Sequence, residues 1–291
     1  MPGITASAGT GIQIVSPAQY VAIRGIAING LGTGQFGIDV QFGANITVER
    51  CRIANFTQDG LRFTSAATLS LKDSEIRDNG GNGLTITTGN HIFERVTLRH
   101  NANNGLDVSG STNVALNDSA VVDNLVDGVR ASEFALLTVS GGEILHNTTH
   151  GVFVDGSIPG SFTRVAIDRA NISNNGITGV AATATGTSAI VQLAITRSLF
   201  AENFSAVIGA TSGGTAAHLF VSDSVFERNA QTALSISGTG ADMTIASNVV
   251  TGSGQGVAKF SSGVVYTRQN NSVRGNTSDV VNGPFTVLSG T

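Results

Sequence analysis

The sequence predicts an all-β solenoid of stacked parallel coils, and three observations carry that prediction. The first is an internal repeat: an Asn, three residues, then Gly and an aliphatic residue. It recurs at Asn79/Gly83-Leu84, Asn101/Gly105-Leu106, Asn124/Gly128-Val129, Asn147/Gly151-Val152 and Asn175/Gly179-Val180. The second is the period, 22 to 28 residues. That is too short to close a globular domain, so each copy must bury its apolar face on its neighbours. The third is the local pattern. Leu69, Leu71, Ile76, Leu84 and Ile86 alternate with polar residues inside one copy, as in a half-buried strand, and no segment carries a helical stripe.

Anchored five residues before each Asn, the register runs Cys51, Ser74, Val96, Ser119, Gly142, Ala170, Ser198, Ser224, Asn248, Asn271. Two residues on lies a column that is apolar in every copy: Ile53, Ile76, Leu98, Val121, Ile144, Ile172, Phe200, Phe226, Val250, Val273. The Asn column opens on Phe56, continues through Asn79, Asn101, Asn124, Asn147, Asn175, Asn203 and Asn229, and closes on Ser253 and Asn276. Three short strands per coil are expected. About eleven coils at a strand spacing of ~4.8 Å make a rod roughly 50 Å long. The Asn column is expected to adopt left-handed backbone and to bond its amides from coil to coil. The Gly that follows is expected to make a sharp turn.

With its Asn column, its Asn-x3-Gly-[Leu/Val] rhythm and its coil length, the chain resembles the right-handed parallel β-helix proteins of the pectate-lyase-like group. The resemblance runs from about residue 10 to the C-terminus. Val21–Gly34 and Asn270–Asn276 resemble bacterial right-handed β-helix repeat proteins of unsettled activity. It implies a right-handed coil but no single activity, because that fold hosts lyases, hydrolases, epimerases, esterases, tailspikes and adhesins. The Asn-Thr-Asp, Gly-His-Gly and Arg-Ile-Lys strings of polygalacturonase-like hydrolases do not occur, nor does the Asp-Pro-His-Glu string of alginate epimerases.

The repeat is unbroken, so residues 1–291 are expected to form one domain. No capping helix is readable before the first coil, and 285–291 is the candidate C-terminal cap. The first coil, with Ile12, Ile14, Val21 and Ile23, is therefore expected either to self-associate or to belong to a fragment whose cap is missing. Gly is 37 of 291 residues and Trp is absent, which suits narrow coils. A net charge of −4 without a Lys/Arg run argues against nucleic acid. No apolar stretch reaches membrane-spanning length. Met1–Ala6 shows no signal peptide, yet an extracellular or cell-surface place is expected from the fold. The single Cys51 reads as a small buried residue. No cofactor and no metal are expected.

Candidate binding residues fall on the columns beside the anchor: Glu49, Arg50, Lys72, Asp73, Glu94, Arg95, Asp118, and further on Asp168 and Arg169. Charges alternate in sign, which suits a salt-bridge ladder. They also suit a saccharide-binding face, where Arg orients sugar carboxylates. A second column, Asp78, His100, Asp123 and His146, alternates acid and base, with His150 close behind. Polar turn residues have the same composition. Catalytic residues stay unassigned. The coils from Gly142, Ala170 and Ser198 are longer, with extra residues at Asp155–Ser161, Thr183–Ser188 and Thr211–Ala216. These should stack into a ridge that either walls a binding surface or is merely tolerated. The reading that follows is a carbohydrate-associated or structural surface protein. A polysaccharide lyase or related sugar-acid enzyme is the first alternative, and an oligomeric adhesin or tailspike-like stalk the second.

Overall fold

A computed structural model describes residues 1–15, 20–43, 45–213 and 215–288. Its strands form three sheets of twelve strands each. Sheet I begins at Gly3–Thr5, sheet II at Thr10–Ile14 and sheet III at Tyr20–Arg24. Each coil gives one strand to each sheet in that order, and the pairings between coils are parallel. The result is a β-helix of twelve coils, one more than the spacing anticipated. Two coils precede Cys51, where the Asn rhythm has not yet begun. The last paired segment, Thr286–Val287, joins Tyr266–Thr267 in sheet III, and Phe285 packs on the core. Of the candidate cap, 289–291 lie outside the described residues.

The register read from the sequence is the register of the sheets. Ile53, Ile76, Leu98, Val121, Ile144, Ile172, Phe200, Phe226 and Val250 follow one another as Cα partners in sheet I. All are buried. Leu61, Leu84, Leu106, Val129 and Val152 do the same in sheet II, and Leu71, Phe93, Leu116 and Val139 in sheet III. The inward side chains merge into one continuous core. Each buried Leu, Ile or Val contributes about 1.5–3 kcal/mol.

Inside that core runs the amide ladder. Asn79 Nδ2 donates to Asn101 Oδ1 at 2.9 Å, Asn101 to Asn124 at 3.0 Å, Asn124 to Asn147 at 3.0 Å and Asn147 to Asn175 at 3.0 Å. Asn175 and Asn203 continue it to Asn229 at 3.1 and 3.2 Å. Each Oδ1 also accepts the backbone N–H of the preceding Asn, at 3.1 Å from Asn124 to Asn147. The remaining amide hydrogen goes to a core carbonyl, as from Asn124 to Leu98 at 3.2 Å. Phe56 tops the stack, its N–H on Asn79 Oδ1 at 3.1 Å.

Two local expectations change. The left-handed residue is the one before each ladder position: Asn55, Asp78, His100, Asp123, His146, Asn174, Glu202 and Arg228, with φ between 51° and 62°. That bend turns the next residue inward, and Asn is needed there for its amide. The Gly after it is required by close approach. A Cβ on Gly128 would sit 2.7 Å from Asn147 Nδ2 and 2.6 Å from the Gly151 carbonyl oxygen. A second left-handed bend precedes most anchors, at Arg50, Asp73, Arg95, Asp118, Arg169, Arg197 and Asp223 among others. Both bends hold their side chains at the outer corners of the coil.

Replacing Asn124 by Leu strands the Asn101 side-chain amide hydrogen and the Asn101 backbone N–H, both of which donate to Asn124 Oδ1. It should cost ~1–3 kcal/mol for each unpaired group, and Gly128→Ala should also destabilise. Urea unfolding midpoints check both, and an unchanged midpoint for Asn124→Leu would mean that the ladder is not what holds the coils.

Candidate functional site

The outer face of sheet II is recessed. From Asp39 to Ala258, none of its outward positions is exposed, and Asp39, Ala181, Ser235 and Ala258 are buried. On sheet III, by contrast, Ile92, Asn113, Thr138 and Phe220 stand exposed. The flanks explain the difference. On one side lie the turns that carry the ladder. On the other, the strands lengthen from three residues in Leu61–Phe63 to seven in His150–Gly156, Thr178–Ala184 and Ser205–Thr211. The longer turns beyond them touch, with Gly160 N–H on Thr187 O at 2.8 Å. The extra residues thus stack, although Asp155, Thr183 and Thr211 extend the strands, and Gly214 lies outside the described residues.

Along the recess one outward column reads Asp39, Arg62, Thr85, Asp107, Arg130, Phe153, each the Cα partner of the next. A second column, just before the tight Gly, reads Asp59, Asn82, Asn104, Asp127, His150. Asp39, only 1% exposed, is clamped by Arg62 through two bonds of 2.8 and 2.9 Å. Asp59 accepts from Thr85 Oγ1 and Asn82 N, both at 2.8 Å, but burial outweighs these bonds and raises its pKa. Asp127 is also pushed upward by burial. Hydrogen bonds from His150 and Thr149 prevail and hold it below the ordinary carboxylate range. His150 Nδ1 lies 2.8 Å from Asp127 Oδ1, and its ring stacks on Phe153 at 5.0 Å.

Arg130 donates to Asp155 at 2.6 Å, and Asp155 also accepts the Ser157 N–H at 2.9 Å. The guanidinium lies 5.8 Å from the Phe153 ring centroid. Beside Arg130, one strand away, stands Asp107. It is half-buried and makes no hydrogen bond or ion pair among the described residues. Burial raises its pKa against the opposing pull of Arg130, and the negative charges of Asp59, Asp127 and Glu133 push the same way. The recess therefore holds a carboxylate without a partner among the described residues, a guanidinium held by Asp155 and an acid–imidazole pair. Environments that drive carboxylate pKa values apart are what acid–base chemistry uses.

A sequence profile described as a right handed beta helix region matches residues 4–121 and 59–221. The chain belongs to the right-handed β-helix family. A search of curated protein sequences finds no match. Among solved structures, the A-module of mannuronan C-5 epimerase AlgE4 from Azotobacter vinelandii superposes with a TM-score of 0.69 at 17% identity, over 97% of this chain and 79% of that one. The AlgE6 A-module from the same organism gives 0.67 at 18%, over 99% and 81%. Pectate lyase Pel9A gives 0.49 at 18%, over 97% and 72%. At these identities the likeness is one of fold.

In this right-handed β-helix the candidate columns from the sequence lie at the corners flanking sheet I, the Asp78 column in the ladder turns beside the recess and the Glu49 and Arg50 columns on the far side of sheet I. Glu49 pairs with Arg24 at 3.1 Å and Arg50 at 3.4 Å, Lys72 with Glu94 at 3.0 Å and Arg95 with Asp73 at 2.6 Å. Asp168 pairs with Arg197 at 2.7 Å and Arg169 at 3.1 Å. Hydrogen bonds from Arg197 and Thr196 hold its pKa down to about 2. Asp118 makes no ion pair among the described residues. His100 lies 3.6 Å from both Asp78 and Asp123, and His146 3.9 Å from Asp123. Exposed pairs of this kind contribute little, about 0–1 kcal/mol. Among the described residues no three His, Cys, Asp or Glu side chains converge as a metal site would need. The recess itself was overlooked apart from His150. Its signal was present in the residues on either side of the Gly-aliphatic pair: Asp59 and Arg62, Asn104 and Asp107, Asp127 and Arg130.

Because the folded-state pKa of Asp107 is raised above the ordinary 3.8, its contribution is present at low pH and is lost as pH climbs through the raised value. Asp107→Asn, which cannot ionise, should therefore gain stability relative to the parent as pH rises from below 3.8 to neutrality. Urea midpoints of both proteins across that range test it. A neutral-pH loss in the variant would mean that the carboxylate is paired.

Proposed function

We propose that this β-helix protein binds a uronate-containing polysaccharide along the recess of sheet II. There it moves a proton at the carbon beside the sugar carboxylate, the step shared by polysaccharide lyases and C-5 epimerases. The observation that carries the reading is Asp107, a half-buried carboxylate without a hydrogen-bond partner, in register with Arg130. Glu49, Asp73, Glu94 and Asp168 at the corners are already paired with Arg or Lys; Asp107 is free to meet a ligand.

The roles follow from placement. Arg130, fixed by Asp155, offers its remaining N–H groups to the sugar carboxylate and draws off the negative charge that builds as the adjacent C–H bond breaks. Asp107 in its ionised form takes that proton. Its raised pKa brings it nearer to working pH, where a base is most effective. Elimination follows if the freed electron pair forms the ring double bond and expels the glycosidic oxygen, which takes a proton from His150. Epimerisation follows if a proton returns to the same carbon from the opposite face. Two of the similar solved structures are named for mannuronan, a polymer of sugar acids, which supports this ligand class. A place outside the cell or on its surface, where such polymers are met, is part of the proposal. The self-neutralising ion pairs at the corners favour a second reading, a carbohydrate-associated or structural surface protein without turnover.

Oligomannuronate and oligogalacturonate incubated in deuterated buffer should gain deuterium at C-5, read by NMR, if the protein epimerises, or give a C4–C5 unsaturated product, read by ultraviolet absorbance, if it eliminates. Asp107→Asn and Arg130→Ala should each slow turnover by ~10²–10⁴-fold. Binding with neither exchange nor unsaturated product would favour the second reading, and turnover that survives Asp107→Asn would remove Asp107 from the chemistry.

A further inference from the structure

A separate cleft of about 360 Å³ lies on the outer face of sheet III. It occupies the long coils, where strands Phe162–Asp168, Ile190–Thr196 and Ala216–Ser222 run seven residues each. Its floor is Ala166 and Ala194, Cα partners on adjacent strands. The next residue in their column is Phe220, 42% exposed. Two small side chains followed by a large one leave a notch roughly 10 Å long at the strand spacing of ~4.8 Å, closed at one end by an aromatic face.

Along the notch's side stand Arg164 and Gln192 in register, with Arg164 Nε donating to Gln192 Oε1 at 3.0 Å. The Arg164 guanidinium lies 5.2 Å from the Phe162 ring centroid. His218 and Asp242 beyond it satisfy one another at 2.6 Å. Arg164 is exposed and pairs with no carboxylate among the described residues. The cleft therefore holds one oriented guanidinium with its terminal nitrogens free, a planar amide beside it, and an exposed Phe whose floor-side neighbour is only the small Ala194. A guanidinium held flat suits a carboxylate in a bidentate fork. An exposed aromatic face suits the apolar face of a ring. Clefts of this volume hold small ligands.

We propose that this cleft is a second, non-catalytic binding site for an anionic sugar residue, with Arg164 on the carboxylate, Gln192 on a hydroxyl and Phe220 under the ring. It shares no residue with the recess of sheet II and does not depend on the chemistry proposed there. A chain held here is offset around the coil from the recess, so the site anchors polymer and takes no part in turnover.

The test uses tetragalacturonate and tetramannuronate, with cellotetraose as neutral control, in calorimetric titrations of the full chain. All measurements are made in an Arg130→Ala background that disables the recess. The site predicts salt-sensitive binding of at least one uronate and none of cellotetraose. Arg164→Ala should weaken it by ~10-fold or more, and Phe220→Ala should weaken it too. Ala194→Trp fills the notch and should abolish it, with circular dichroism confirming the fold. No uronate binding in the Arg130→Ala background, or binding that survives both Arg164→Ala and Ala194→Trp, would overturn the proposal. Absence of C-5 chemistry in the parent protein, with Arg164-dependent binding intact in the Arg130→Ala background, would sink only the proposed function.

Discussion

Everything in this molecule depends on stacking amides at one corner of the coil. Each ladder Asn spends its side-chain oxygen on two donors from the coil before and its nitrogen on the coil after and on a core carbonyl. Hydrogen bonds of about 3 Å between side chains so short leave no slack in the rise or the register. That is why the neighbouring Gly has no room for a Cβ, and why the residue before the Asn takes the left-handed bend whether it is Asp, His, Glu or Arg. Variation in coil length is pushed away from the ladder, into the turns between sheets II and III.

Strict register converts sequence columns into physical columns. Side chains at equivalent positions lie one strand apart, so like charges repel and opposite charges pair. At the corners the chain resolves this by alternation, and the salt-bridge ladder reading describes the contacts there: Glu49, Lys72 and Glu94 in one column, Asp73 and Arg95 in the next. On sheet II the column is not fully resolved. Asp39 and Arg62 neutralise one another, as do Arg130 and Asp155, and Asp107 is left over. A buried carboxylate without a partner costs free energy when ionised. That unpaired carboxylate is the observation on which the proposed proton transfer rests.

How much of this was legible varies with the kind of constraint. The core columns and the ladder were legible because a period-2 alternation inside a repeating coil leaves one register that buries every apolar residue. The stacked extra residues were legible because their Gly, Pro and Ser content marks them as turns. The left-handed bends were misplaced by one residue. The propensity of Asn for that conformation pointed to the Asn itself, whereas in the fold its amide is worth more inside the core and the preceding residue takes the strain. The site was sought among the most conspicuous charges, at corners where alternating signs satisfy one another.

By itself the sequence determined the coil, the order of its three strands, the inward columns and the amide ladder. These follow from spacing and from the polarity of each residue, which every coil carries on its own. Only the tertiary structure decided which outward column is recessed, that Asp127 and His150 meet across neighbouring coils, and that Asp107 is left without a partner. Recession depends on how high the flanking turns stand once all the coils are stacked. Pairing depends on which side chains the bends aim at one another. Neither property belongs to any single coil, so neither is written in the repeat.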